Sequence, residues 1–440
     1  MTTADAPGLS YSSAPGRWVL AVSVLGSGIA ALDATVVNIA LPTIGRDFHT
    51  GVAALQWVMN GYTLTLAAFL LIGGSLGDRF GRRKVYLIGT AWFAVASAGC
   101  GFAPDVTVLI ITRVLQGAGA ALLTPGSLAI LEASFRPADR ARAIGAWSGL
   151  GGIAVAVGPV VGGYLISAAS WRWIFFINVP IAVLVIVLSA RHVPESRDPG
   201  AGGKTDYLGA AAVVVFLSGI TFAFIEAPTL GWSSPAVLTM ASLGVAGLVV
   251  FLAWERRAAS PMLPLPIFAQ RQFAAVNAVS FIVYGALTGA TFLLPVVLQV
   301  VSGYSPLGSG LALLPLTIIM LALSGRSGEL AARIGPRLQL TAGPLVTGAG
   351  LGLLVLAPNG SSYVLYALAG ITGTAYLHPD ALAAGFRTAV LISGGLCAAG
   401  GLLAAVTVTN PARAERLDSA AVPGQCLHCG LDAPPLTTTG

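Results

Sequence analysis

The chain has 440 residues, of which 56% are hydrophobic and only 9% charged. A soluble domain carries about 25% charged residues, so this chain lacks the polar surface to face water on all sides. Its net charge of +6 is scattered between apolar runs instead of gathered in a patch, which excludes a nucleic-acid partner, and its four cysteines are too few for a disulfide framework.

Residues 1–16 are small and polar without a basic run. The first apolar run is long enough to cross a bilayer, so it reads as an uncleaved helix behind a polar cytoplasmic N-terminus at 1–17. A spanning helix needs about 20 apolar residues. On that criterion the chain predicts spans at 18–41, 55–77, 85–103, 107–131, 143–167, 174–190, 208–228, 235–254, 273–298, 307–325, 338–357, 361–377 and 386–408. Ser302-Gly303-Tyr304-Ser305-Pro306 divides a long uncharged stretch into two helices. These spans group into an N-terminal six-helix bundle (18–190), a linker (191–206), an inserted helix pair (207–254), a second linker (255–272), a shortened C-terminal bundle (273–410) and a disordered tail (411–440). Alternate loops collect 16 Arg and Lys residues, against only Arg46 and Arg172 in the others up to residue 362. Cytoplasmic loops hold the excess of basic residues, so the N-terminus is assigned to the cytoplasm. With 21 Arg beside 2 Lys, the composition fits a GC-rich bacterial genome and hence a bacterial cytoplasmic membrane.

Two charges fall inside predicted spans. Asp33 stands in LDATVVNIALP of the first span, and Arg113-x-x-Gln116-Gly117 stands in the fourth. A carboxylate in a membrane helix costs at least ~2.5 kcal/mol, so Asp33 must face a partner or a wet cavity. At 1.5 Å per residue, Asp33 lies about 22 Å and Arg113 about 21 Å from the inner surface, which is one layer. Asp33 is therefore the candidate proton carrier, with Arg113 and Gln116 at the same site. An adjacent cation favours the ionised carboxylate and desolvation the neutral one, so separation of the pair would switch the proton on and off. A static salt bridge between the two helices is the competing reading.

The chain also repeats itself. Arg79-x-Gly81-x-Arg83 follows the second span and Arg333-x-Gly335-x-Arg337 the tenth, at offsets of 61 and 60 from residues 18 and 273. Leu41-Pro42 and Leu294-Pro295 are expected to close the opening helix of each half. Parallel repeats put the substrate site between the halves, near the bilayer midplane.

Four motifs make the sequence similar to the major facilitator superfamily, and within it to the fourteen-helix drug:proton antiporters. The first is Gly74-x-x-x-Asp78-Arg79-x-Gly81-Arg82-Arg83-Lys84. The resemblance implies a cytoplasmic latch built on Gly74, Asp78, Arg79, Gly81, Arg83 and Lys84, with Gly81 in a tight turn. The second and third are the Asp33 and Arg113 segments. The fourth, Ala154-x-x-x-Gly158-Pro159-x-x-Gly162-Gly163, resembles the antiporter motif, with Ala at its first position. There Pro159 would kink the helix and the glycines admit a helix of the other half. Trp171-Arg172-Trp173-Ile174-Phe175-Phe176-Ile177-Asn178-Val179-Pro180 is close to a signature of the fourteen-helix group and is expected to set aromatics at the outer interface.

The resemblance implies an all-α polytopic fold of two six-helix bundles with two inserted linker helices, about 13 spans here. It further implies proton-coupled export of hydrophobic small molecules such as drugs or antibiotics, by a monomer in the lipid bilayer. The C-terminal half departs from the pattern: 138 residues at 273–410 stand against 173 at 18–190, and the shortfall lies after Gly370. A non-transporting paralogue that acts as a membrane binding protein, or a proton-coupled metabolite importer, are the alternatives. No Gly-Lys-Ser/Thr loop points to ATP, and no Ser, Cys or His cluster points to an enzyme, so a proton gradient and no cofactor is expected. Cys426-Leu427-His428-Cys429 lacks a second cluster and gives no metal site. Glu226 is expected to be interfacial and solvated, and His378 to mark a helix end before Pro379.

Overall fold

A computed structural model describes residues 8–197, 206–258, 261–315, 318–319, 334–355 and 379–409. The expectations for 361–377, Arg326, Arg333, His378 and the Cys426–Cys429 tail lie outside them. Helix α1 (Ala14–Asp47) starts at Ser13, whose hydroxyl accepts from the Gly16 N–H at 3.2 Å. Helices α2 (Val52–Phe80) and α3 (Arg82–Gly101) join at Gly81, and α4 (Val106–Ser134) is capped by the Asp105 carboxylate on the Val108 N–H. These caps satisfy amides that a helix start leaves without partners. Next come α5 (Pro137–Ala168), a single turn α6 (Trp173–Phe176), α7 (Asn178–His192), and the hairpin of α8 (Tyr207–Leu230) and α9 (Pro235–Glu255). The second half holds α10 (Arg271–Val300), α11 (Pro306–Ala312), α12 (Pro336–Val355) and α13 (Pro379–Thr407).

Nine described helices are long and apolar enough to cross a bilayer, with Trp173–His192 taken as one and Val390–Thr407 as part of α13. The chain is an all-α, multi-pass membrane protein. Leu41-Pro42 and Leu294-Pro295 do not close their helices. Pro42 lies inside α1 and Pro295 inside α10, and both helices run on for more than a turn. Proline removes one ladder bond, which neighbouring groups in a membrane bundle re-satisfy. Beside Pro42, the Gln299 amide of α10 donates to the Ile39 carbonyl at 2.9 Å. The sixth expected span is broken at Ile177, because Pro180 has no N–H to return to Phe176.

The first half packs α1 against α4, α5 and α7, and α4 against α2 and α3. Tyr86, Phe93 and Phe135 fill its core near the N-terminal end of α1, and Ile39, Leu41 and Phe175 near the other. The α8–α9 hairpin docks on α2, where Trp57 Nε1 donates to Glu226 Oε1 at 2.8 Å. Glu226 is thus an anchor of the hairpin and not a merely solvated charge. In the second half α13 packs on α10 and α12.

The halves meet at the C-terminal ends of α1 and α5. There Gln299 bonds to Ile39, and α11 lies along α5. Toward the opposite end of α5, among the described residues, Cβ atoms added at Gly145, Gly149, Gly151 and Gly152 would meet nothing within 4 Å. On α10, Phe281 and Tyr284 are 84% and 70% exposed, and a Cβ at Gly285 would likewise meet no described atom within 4 Å.

Candidate functional site

Five helices converge on one acidic side chain. Asp33 of α1, Arg113 and Gln116 of α4, Ser97 of α3 and Asn178 of α7 are each fully buried. Arg113 Nη1 donates to Asp33 Oδ2 at 2.5 Å and to Gln116 Oε1 at 2.8 Å. Gln116 Nε2 and Asn178 Nδ2 both donate to Asp33 Oδ1 at 2.9 Å. Arg113 Nε is fixed by the Val58 carbonyl of α2 at 3.0 Å, and its guanidinium lies 4.2 Å from the Tyr62 ring centroid. Asn178 Nδ2 also reaches Ser97 Oγ at 3.1 Å. The set is electrically neutral, which is the condition for keeping a carboxylate and a guanidinium dry.

It is not fully satisfied. Arg113 Nη2, Asn178 Oδ1 and Tyr62 Oη are buried without partners. Asn178 therefore presents a donor to Asp33 and holds an unused acceptor. Turning its amide over would exchange the two, so the site can match either the ionised or the protonated carboxyl.

The loop between α2 and α3 has its own geometry. Gly81 sits at φ +113°, and a Cβ there would come within 2.8 Å of the Glu195 carboxylate. That carboxylate accepts from the N–H groups of Arg83 and Lys84 at 3.1 and 3.2 Å, so it caps α3. Asp78 pairs with Arg82 at 2.8 Å one turn on, and Arg83 Nη1 donates to the Val193 carbonyl at 3.0 Å. Arg79 is exposed over the Phe80 ring, and Gly74 faces Pro125 of α4. These contacts join the loop to the first half and to the start of the linker that follows α7.

In α5, a Cβ at Gly162 would lie 2.8 Å from Val36 of α1, and Gly158 is pressed against Thr35. A Cβ at Gly163 would lie 2.6 Å from the Pro306 carbonyl of α11, and Gly310 of α11 meets the Pro159 carbonyl. The segment joins α5 to its own half on one face and to the other half on another. Next to it, Trp171 is only 2% exposed and donates from Nε1 to Asp47 Oδ2 at 2.9 Å, where Arg172 also binds at 3.0 Å. The Trp171 and Phe175 rings enter the core, against the expectation of an interfacial belt; Trp173, at 52%, remains outside.

The sequence profile of the Major Facilitator Superfamily matches residues 23–379. The chain belongs to the Major Facilitator Superfamily. Among relatives of this facilitator, multidrug resistance protein Stp of Mycobacterium tuberculosis is 36% identical over 351 residues, covering 80% of this chain and 65% of that one. The tetracenomycin C resistance and export protein of Streptomyces glaucescens is 38% identical over 352 residues, covering 79% and 64%. The chain thus spans a little under two thirds of the length of these relatives. The crystal structure of the peptide transporter POT in complex with sulfate superposes with a TM-score of 0.56 at 17% identity, over 94% of this chain and 87% of that one, which bears on the fold alone.

The facilitator fold brings Asp33, Arg113 and Gln116 into one cluster, as their common depth predicted. It leaves Gly74, Asp78, Arg79, Gly81, Arg83 and Lys84 at one end of the first half, and Gly158, Pro159, Gly162 and Gly163 where the halves touch. Asn178, Ser97, Tyr62, Glu195 and Gln299 were not singled out from the sequence. The available signal was strongest for Asn178 and Gln299, each an amide within an apolar run.

Proposed function

We propose that this chain is a proton-coupled efflux transporter that exports hydrophobic small molecules, such as drugs or antibiotics, across the bacterial cytoplasmic membrane by alternating access. The reading rests on one observation above all: a buried carboxylate held by Arg113, Gln116 and Asn178, beside an unused amide acceptor. A membrane protein keeps an ionisable pair at such depth at considerable cost, and proton relays are a principal reason to do so. The printed names of the Stp and tetracenomycin relatives support the substrate class, and the antiporter-like glycines of α5 support exchange in preference to uptake.

In the proposed cycle Asp33 takes up a proton when its site faces outward, which removes the charge that Arg113 opposes. Asn178 turns over and accepts the new O–H. The weakened attachment of α1 to α4 lets the halves rock inward, where the proton leaves and the ion pair re-forms. Among the described residues the halves touch at the C-terminal ends of α1 and α5, while Gly145, Gly149, Gly151 and Gly152 toward the other end meet no described atom within 4 Å. With a cytoplasmic N-terminus this supports an inward-facing reading, with the pair already formed. Among the described residues the latch positions contact only residues 1–197, which fits a latch that closes in the outward-facing state. The protein works as a monomer on the proton gradient, without a cofactor and without catalysing a reaction.

The test is dye or drug efflux from vesicles under an imposed pH gradient. Wild-type protein should extrude, an uncoupler should stop it, and Asp33→Asn should abolish the gradient-driven component while still binding substrate. Full gradient-driven activity in that variant would overturn the mechanism. Uptake in place of extrusion would favour an importer, and no flux in either direction a non-transporting paralogue.

A further inference from the structure

The α8–α9 hairpin buries a carboxylate that the Asp33 site does not use. Glu255, the last residue of α9, is 3% exposed, and Asp206 caps the first turn of α8. Asp206 Oδ1 accepts from the Gly209 N–H at 2.8 Å and from Trp254 Nε1 at 2.7 Å. Glu255 Oε2 accepts from the Leu263 N–H at 3.1 Å. Their other oxygens, Asp206 Oδ2 and Glu255 Oε1, are both buried with no donor. These two converge over Gly209, where an added Cβ would lie 2.5 Å from the first and 2.9 Å from the second.

Among the described residues no compensating cation pairs with either oxygen. From α8 the facing titratable group is Asp206, with Tyr207 exposed beside it. From α9 it is Glu255, with Arg256 and Arg257 exposed beyond it. Residues 261–265 carry no titratable side chain and contribute only backbone groups. Among the described residues neither carboxylate makes an ion pair. Two ionised carboxylates in contact, one of them dry, repel each other, whereas one proton between them turns two orphan acceptors into a donor and an acceptor.

We propose that Asp206 and Glu255 bind one proton between them, a second proton site separate from Asp33. It lies where the hairpin joins its flanking linkers. Because Glu255 Oε2 also holds the Leu263 amide, the proton keeps the start of the second linker on the hairpin. Its loss leaves two like charges and frees that linker, so the pair acts as a pH-sensitive tether between the inserted helices and α10.

Infrared difference spectra of the purified full-length protein, titrated from acid to alkaline pH, test this. A protonated carboxyl absorption should persist at neutral pH in the wild type and in Asp33→Asn, and should be lost in Glu255→Gln and in Asp206→Asn. Absence of that absorption from the wild type and Asp33→Asn overturns the proposal even if the other variants fail to fold. Its survival in both Glu255→Gln and Asp206→Asn overturns it too. Wild-type stability that falls on chelation of divalent cations, with no such fall in Glu255→Gln, would assign the pair to a metal ion and equally refute the proton.

Discussion

Asp33 receives one guanidinium and two amide donors, and these differ in what their removal leaves behind. Breaking a buried ion pair from one side strands a charge and costs about 3–5 kcal/mol. Removing one hydrogen bond to a charged group costs about 1.5–3 kcal/mol. Arg113→Ala should therefore lower thermal stability in detergent more than Asn178→Ala does, and equal losses would mean that Asn178 carries more of the site than its single bond to Asp33 indicates. Asn178→Ala should also slow gradient-driven efflux more than it weakens substrate binding, because it removes the acceptor that the protonated carboxyl needs. The Asp33–Arg113 match was legible in the sequence, since helical rise turns residue counts into depth. Asn178 was not, because its place depends on the break at Ile177, and Pro180 signals such a break without giving its direction.

At the level of helices, glycines decide how closely the backbones approach. Gly81 combines a positive φ with a carboxylate against its α-carbon. An alanine there pays backbone strain of about 1–3 kcal/mol and displaces Glu195 from the start of α3. Gly81→Ala should lower the melting temperature, and unchanged melting would show that the turn relaxes freely. Gly163 works differently, since a Leu side chain would be driven into the Pro306 carbonyl and Leu307. Gly163→Leu should hold the halves apart at that end, raising proton leak in vesicles and lowering efflux; tight, coupled transport in this variant would count against the α5–α11 contact as the seal. Composition marked these positions as small, yet which neighbour each admits was decided by packing.

For the whole molecule, the testable feature is which end is open. A cysteine replacing Gly149, where no described atom lies within 4 Å, should react with a membrane-impermeant maleimide from the cytoplasmic side only. Substrate together with an inward pH gradient should reduce that labelling, as the latch end closes during turnover. Reaction from the outer side would invert the topology read from the Arg and Lys count, and labelling indifferent to turnover would argue against rocking of the halves.

Hydropathy, charge asymmetry and two buried charges at one depth determined the class of this protein, because a bilayer allows few ways to hide a backbone and fewer to hide an ion. The helices' existence and the Asp33–Arg113 layer follow from local counting along the chain. Tertiary structure alone decided the rest: that α1 continues past Pro42, that Trp171 turns inward to Asp47, and that Glu195 and Gln299 find partners far away in sequence. Those outcomes depend on which helix happens to lie alongside, and a one-dimensional pattern of apolar and polar residues carries no record of its neighbours.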